Sequence, residues 1–540
     1  KTLMLVGGVN FAEERVTIKN AKLWWPNGYG AQNLYTFKAC CVTKGILHEM
    51  QPKKIGIRTL ELDTSKLEDG SRNFFFKVNG VRIFCKGGNW GLDDGLKRCS
   101  RERLEPAFRL HKLENFNMIR NWTGESTEEA FYDLCDEYGM LVWNDFWMST
   151  GKYNLLPLDY DLFLENVTDV VRRYRNHPSI IVWCPRNEGY AEGLEEDLQR
   201  IIREEDGTRH YHGNSRELNM PGSGPWGYHD RPREYFDRLA YGFNSELGSN
   251  SVPPYSTLRK FIAEEDIWPI GDVWYYHDYH VHGWSGWDAF QRDIDRLSAS
   301  PCNDAREFCR RADILNYNGH RIMFEAYNHK MWGFTSGVLY WMSHPAWPSL
   351  ICQTYTWDWQ TFGTFYGCKK ACEPTHIQWN INNRRLVVAN ASLESYPGAR
   401  ATFEVFDPAG HRLGSFAAEA DIPANERVDL EQLELPARAR GIVLVRLQLR
   451  DRNKRLISQN DYWYDGDYSN APRNFCDIAA TTLRLSQRRE ADGRLRVTVR
   501  NTGRTTAALV RVNVVDTVGG DPVLPAYASD NYFNLLPGES

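Results

Sequence analysis

Two glutamates carry the most specific chemistry in this sequence. The stretch 174–190, YRNHPSIIVWCPRNEGY, runs through four apolar residues (Ile180, Ile181, Val182, Trp183) and breaks into the polar pair Asn187-Glu188. A buried parallel strand reads this way when its C-terminal end carries the reacting groups. The stretch 241–248, YGFNSELG, repeats the pattern and drives Glu246 off the end of an aromatic strand. Most carboxylates near strand ends cap a helix or pair with Arg. These two differ because each follows an apolar run directly, and because they come fourth and seventh among the strands counted below. That places them across a barrel mouth from one another. Paired carboxylates of this kind perform glycoside hydrolysis, with separations of about 5–5.5 Å for retention and about 6.5–9.5 Å for inversion. One carboxyl must be held protonated and the other ionised.

The elements that would hold them follow from the alternation of patterns. From about residue 70, strands alternate with helices, which implies a parallel sheet. The expected strands are 82–90, 116–122, 141–146, 180–186, 209–215, a weak sixth at 226–228, 241–246 and 336–341. A long excursion over 250–335, expected to carry its own helices, precedes the eighth. A capping box over Ser126–Glu129 predicts a helix start, and Phe163, Val167, Val170, Val171 and Tyr174 form one apolar helix stripe. Eight strands over some three hundred residues predict an α/β protein with a (β/α)8 TIM barrel. Flanking segments read as all-β: 16–19, 35–38 and 55–60 before the barrel, and several alternating runs after Pro374. The domain expectation is an immunoglobulin-like β-sandwich over 1–66, the catalytic barrel over 67–373, a second such sandwich over 374–470, and an incomplete sandwich module over 471–540.

Other residues fall at equivalent strand ends and are candidates to line a sugar site: Asn89, Trp90, Asn121, Trp122, Asp145, Tyr228 and Trp341. Asn187 is placed to meet a sugar 2-hydroxyl, a contact that strengthens in the transition state. Nineteen tryptophans, fifteen of them between Trp90 and Trp359, suit a pocket in which C–H faces of sugars lie on rings.

Bulk properties narrow the alternatives. With 65 basic and 70 acidic residues and a net charge of −5, no basic face is expected for nucleic acid. No apolar run reaches the ~20 residues of a membrane span. Twelve cysteines show no framework; those in apolar runs (Cys40, Cys85, Cys184, Cys352) read as buried free thiols, and Cys368 with Cys372 lacks partners at zinc spacing. The first sixteen residues, with one Lys and a short apolar run, do not read as a signal peptide, and secretion is not judged from them. The compartment is left open, a periplasmic or secreted setting being compatible, and so is the oligomeric state.

At the level of motifs the chain resembles glycoside hydrolase family 2. RNHPSIIVWCPRNEG is similar to its acid/base segment and FNSELG to its nucleophile segment. FKVNGVRIFCKGGNWGLDDGLKR, ENFNMIRNWTGE, EYGMLVWNDFW and KKACEPTHIQ are similar to its β-mannosidase and mannosylglycoprotein endo-β-mannosidase branch. The resemblance implies a retaining double displacement on an oligosaccharide or glycan, with Glu188 as acid/base and Glu246 as nucleophile. It implies Asn187 as the 2-hydroxyl ligand, Trp122 and Trp341 lining the −1 subsite, and no metal or cofactor. It also implies an N-terminal jelly roll ahead of the first sandwich, which predicts that this chain begins at a truncation or a processed end. WMSHPAWPSL and KKACEP are similar to exo-β-D-glucosaminidases too, but those carry Asp where Glu188 stands here. The competing expectations are therefore an exo-β-D-glucosaminidase acting on chitosan oligomers and a carbohydrate-binding scaffold without catalysis.

Overall fold

The structure, a computed structural model, describes all residues except 1–3, 5, 11, 12, 67–71, 92, 94, 151–155, 219, 221–223, 280–286, 346, 467 and 468. Its centre is a parallel sheet of seven strands: Cys85–Trp90, Met118–Asn121, Leu141–Thr150, Ile180–Glu188, His210–Tyr211, Gly242–Leu247 and Thr335–His344. The first five lie side by side in chain order, and Thr335–His344 pairs on the other flank of Cys85–Trp90 with Gly242–Leu247 beyond it. The expected sixth strand is reduced to one parallel bridge, Trp226 to Gly248. Its sequence explains this: Gly224, Pro225 and Gly227 surround Trp226, and the two glycines adopt positive φ (+104° and +88°), so no ladder propagates. With that bridge the sheet is a (β/α)8 barrel opened between its fifth and sixth positions.

Strand alternation sorts the side chains into two cores. Cys85, Met118, Leu141, Trp143, Val182, Cys184, Phe243 and Leu339 point inward, where Phe74, Phe76 and Val78 of the hairpin preceding the first strand close the barrel floor. Ile119, Val142, Ile180, Trp183 and Val338 point outward against the helix layer. Gly87 shows how close the strands run, because a Cβ there would sit 1.8 Å from the carbonyl oxygen of Met118.

The helices between strands are amphipathic in the expected sense. In Tyr160–Tyr174, capped by Asp159 accepting from the Leu162 N–H, the residues Phe163, Val167, Val171 and Tyr174 are buried. The capping box over Ser126–Glu129 does not form. Ser126 N–H is instead taken by the Asn121 side chain, and the helix starts at Glu129 with no side-chain cap. Among the described residues the 250–335 excursion carries four α-helices, Tyr255–Leu258, Asp272–Tyr276, Trp287–Arg296 and Ala305–His329, over an apolar core of their own.

Outside the barrel, Thr375–Trp379, Arg385–Asn390 and Glu426–Gln432 form one sheet; Tyr396–Phe406, Arg412–Ile422, Val443–Arg450 and Leu456–Tyr464 form another. Ile377, Trp379, Val388, Phe403, Val445 and Leu447 pack between them as an immunoglobulin-like sandwich core. The C-terminal module contributes two antiparallel pairs, Leu483–Arg489 with Leu495–Asn501 and Ala507–Val510 with Phe533–Leu535. The N-terminal segment differs from expectation. Residues 16–19 form no strand, and the pairing among the described residues is sparse: Tyr35–Phe37 with Lys53–Ile55, an exposed hairpin of Cys40–Thr43 with Ile46–Glu49, a single bridge from Trp24 to Gln32, and Leu60–Asp63 joined to Phe75–Val78. Cys40 is accordingly exposed, whereas Cys85, Cys184, Cys352, Cys368 and Cys372 are buried free thiols. Among the described residues, no helix is long and apolar enough to cross a membrane.

Candidate active site

Arg120 is the hub of the barrel mouth. It sits on the second strand, faces inward and is fully buried. Its Nη1 donates to Glu246 Oε1 at 2.6 Å, and its Nη2 to Asp145 Oδ2 at 2.7 Å and to Asn187 Oδ1 at 2.6 Å. Longer contacts reach Asp145 Oδ1 and Asn89 Oδ1, both at 3.4 Å. One guanidinium thus ties together the ends of the first, second, third, fourth and seventh strands. Burial pulls its pKa down, but Asp145 and Glu246 outweigh that, and the net shift is upward.

Glu246 is nearly inaccessible and under opposing forces. Burial raises its pKa, Arg120 lowers it through charge and hydrogen bond, and the charges of Glu188 and Asp145 raise it again; the result is about 7. The influence of Glu188 on this carboxyl means that the two glutamates share one electrostatic neighbourhood. Glu188 Oε1 accepts from Arg216 Nη2 at 2.7 Å, an arginine whose side chain is about half exposed. Asn187 is held at both ends of its residue: Ser215 donates to its backbone oxygen, and Arg120 takes its amide oxygen. At the end of the eighth strand, Trp341 meets Trp122 edge-on at 4.6 Å and Trp226 at 6.0 Å, forming an aromatic wall.

The remaining expected site residues divide by the direction they face. Asn89 and Asp145 point inward but are committed to the protein. Asn89 Nδ2 donates to the backbone oxygens of Ser245 and Tyr340. Asp145 accepts from Arg120, from the Trp143 indole and from the Thr123 N–H. They orient Arg120 rather than a ligand. Three expectations are corrected outright. Trp90 follows Asn89 and so points to the opposite face, stacked on His344 at 4.1 Å and packed against Phe108 and Phe131. Asn121 alternates outward from Arg120 and bonds Ser126 and Asn144. Tyr228 is buried in the core of the excursion, donating to Asp293 at 2.5 Å and packing on Phe290.

Arg120, Arg216 and Trp226 were not anticipated as site residues. For Arg120 a signal existed, since a cation inside the apolar strand 116–122 needs buried carboxylates to pair with. Arg216 and Trp226 lie in irregular segments, where no periodicity marks the direction of a side chain.

Three family models cover parts of the chain: "Glycosyl hydrolases family 2" over residues 3–58, "Glycosyl hydrolases family 2, TIM barrel domain" over 72–223, and "Exo-beta-D-glucosaminidase Ig-fold domain" over 461–540. The chain belongs to glycosyl hydrolase family 2. Among its curated relatives, the mannosylglycoprotein endo-β-mannosidase of Lilium longiflorum is 31% identical over 506 residues, covering 82% of this chain and 52% of that protein. The exo-β-D-glucosaminidase of Arthroderma benhamiae is 26% identical over 98% of this chain and 65% of its own length. This family 2 chain therefore spans between about half and two thirds of these relatives' length. In fold it is similar to the crystal structure of Amycolatopsis orientalis exo-chitosanase CsxA, with a TM-score of 0.83 at 22% identity over 96% of this chain and 66% of that one.

Proposed function

We propose that this family 2 chain is the catalytic portion of a retaining β-glycosidase that cleaves β-mannosides, with Glu246 as nucleophile and Glu188 as acid/base. The observation that carries the reading is the Arg120 hub, which holds Glu246 and Asn187 on one guanidinium, with Glu188 next to Asn187 in the chain and its charge felt by Glu246. Glu246 attacks the anomeric carbon as a carboxylate while Glu188 gives its proton to the departing glycosidic oxygen. In the second step Glu188 takes a proton from water, and that water displaces Glu246, so the anomeric configuration is retained. Arg120 binds Glu246 through Oε1 and stabilises the ionised form that the first step needs. It also donates to the amide oxygen of Asn187 and so fixes the orientation of the side chain proposed to meet a sugar 2-hydroxyl. Trp341 and Trp122 offer ring surface to the sugar.

Support for mannose comes from the relationship to the Lilium endo-β-mannosidase and from Asn187-Glu188 at the acid position. A second reading, β-glucosaminide cleavage, is favoured by the name of the C-terminal family model and by the Arthroderma relative. A cationic amino sugar calls for a carboxylate beyond the catalytic pair, and Asp145 is already saturated by internal donors. Hydrolysis of aryl β-mannoside, β-glucosaminide and β-galactoside should therefore favour the mannoside; preference for the glucosaminide overturns the sugar assignment. In Glu188→Ala, kcat/KM for a dinitrophenyl β-mannoside should be nearly unchanged while kcat falls, and azide should restore kcat as a β-mannosyl azide forms. Absence of azide rescue removes Glu188 from the acid/base role.

The pH profile supplies a further check. The nucleophile must be ionised, so kcat/KM should fall as pH drops through about 7, the pKa of Glu246. One cause of that raised value is the charge of Glu188. In Glu188→Gln, assayed with the same activated substrate, the acid limb should move to lower pH. An unmoved limb would mean that the two carboxylates do not sense each other.

A further inference from the structure

Away from the carboxylate centre, a cleft of about 560 Å³ opens where three parts of the chain meet. The segment following the seventh strand contributes Tyr255 and Arg259, the helix Ala305–His329 contributes Arg306, Arg310 and Asp313, and the C-terminal module contributes Arg511, Asp521 and Tyr532. None of Glu188, Glu246, Asn187, Arg120 or Trp122 lines it. Its volume lies in the range of sites that enclose small ligands.

The charge arrangement is unusual for a protein of net charge −5. Four guanidinium groups face two carboxylates, and both carboxylates are engaged. Asp313, on the floor, receives the Tyr532 hydroxyl, the Gly363 N–H and Arg511 Nη1. Asp521 is paired with Arg259. Arg310 lies on Glu307 of its own helix. Arg306 has no carboxylate partner among the described residues and rests over the Tyr255 ring at 4.3 Å. At the floor, Arg511 gives Nη2 to the Thr361 carbonyl, while its buried Nε has no hydrogen-bond partner among the described residues. The Arg511 side chain keeps 19% of its surface exposed and lines the cleft, where a guanidinium matches an oxyanion in charge and geometry. Tyr255, Phe475 and Tyr532 add ring surface of the kind that packs on sugars.

We infer that this cleft is a second carbohydrate-binding site, taking a sugar that carries an oxyanion, either a carboxylate or a phosphate. The cation on the rim attracts the charged group and Arg511 receives it at the floor, with the sugar ring against the aromatic residues. The assignment stands independently of the reaction proposed for the barrel mouth.

Calorimetry on the whole chain tests it, with mannose 6-phosphate, glucuronate, mannose and inorganic phosphate as titrants. At least one charged sugar should bind saturably with a Kd of about 1 mM or tighter, and which one binds tells phosphate from carboxylate. That binding should persist in Glu246→Gln, which separates it from the barrel mouth. It should weaken about tenfold or more in Arg306→Ala, a change at an exposed side chain that leaves the fold intact, and disappear in Arg511→Met. If neither charged sugar binds, or if Arg306→Ala leaves both affinities unchanged, the site is refuted. Equal Arg306-dependent binding of mannose would refute the need for an anion. Equal binding of inorganic phosphate would refute recognition of the sugar.

Discussion

Glu246→Gln is expected to lose turnover of an aryl β-mannoside by roughly 10^4-fold to 10^6-fold, because no other group can form the covalent intermediate. The amide is isosteric with the carboxylate and can still accept from Arg120 through its oxygen, so the loss should fall on kcat with substrate binding largely kept. Glu246 accepts the 2.6 Å bond from Arg120 and lies at the end of a fully buried strand. Circular dichroism should show the fold intact in this variant. Activity retained at wild-type level would remove Glu246 from the reaction.

Arg120→Met is expected to have the largest effect on stability. The wild-type side chain is fully buried and neutralises two carboxylates that have no second cation against them in the contacts described above. Removing one partner of such a cluster leaves uncompensated buried charge and costs about 3 to 5 kcal/mol. Glu246 loses the influence that lowers its pKa, so any remaining activity should require higher pH than wild type. Adding Asp145→Asn removes one of the orphaned charges and should recover part of the stability in chemical denaturation. If Arg120→Met alone unfolds at the wild-type denaturant midpoint, the hub is not what holds the barrel mouth together.

Much of this arrangement was legible in the sequence for a definite reason. A buried parallel strand must be apolar until the point where it emerges at the barrel mouth, so a carboxylate directly after such a run is marked by its position. That pattern puts Glu188 and Glu246 at strand ends, where the structure has them, and it marks most of the barrel strands. What stayed hidden was side-chain direction. Asn89 and Trp90, or Arg120 and Asn121, are neighbours in sequence, yet one of each pair faces the barrel and the other the helices. Near the strand end nothing in the local composition distinguishes them, so the sequence pattern alone puts Trp90 and Asn121 in the site. Tyr228 was misplaced because its segment follows a Gly- and Pro-rich stretch that forms only one bridge. The helix start at Ser126 gives way to a local bond in which the Asn121 side chain accepts from the Ser126 N–H. In the N-terminal segment, residues 16–19 alternate as a strand does but pair with no strand among the described residues.

The most direct test of the account is to trap the intermediate. Incubation with a 2-deoxy-2-fluoro-β-mannosyl fluoride slows the second step more than the first, so the glycosyl-enzyme accumulates, and peptide mapping by mass spectrometry locates the attached sugar. The account predicts a single fluoromannosyl adduct on Glu246, in the peptide containing FNSEL, with reactivation on addition of an acceptor. An adduct on another residue, or inversion of the anomeric configuration in the product of an ordinary substrate, would contradict it.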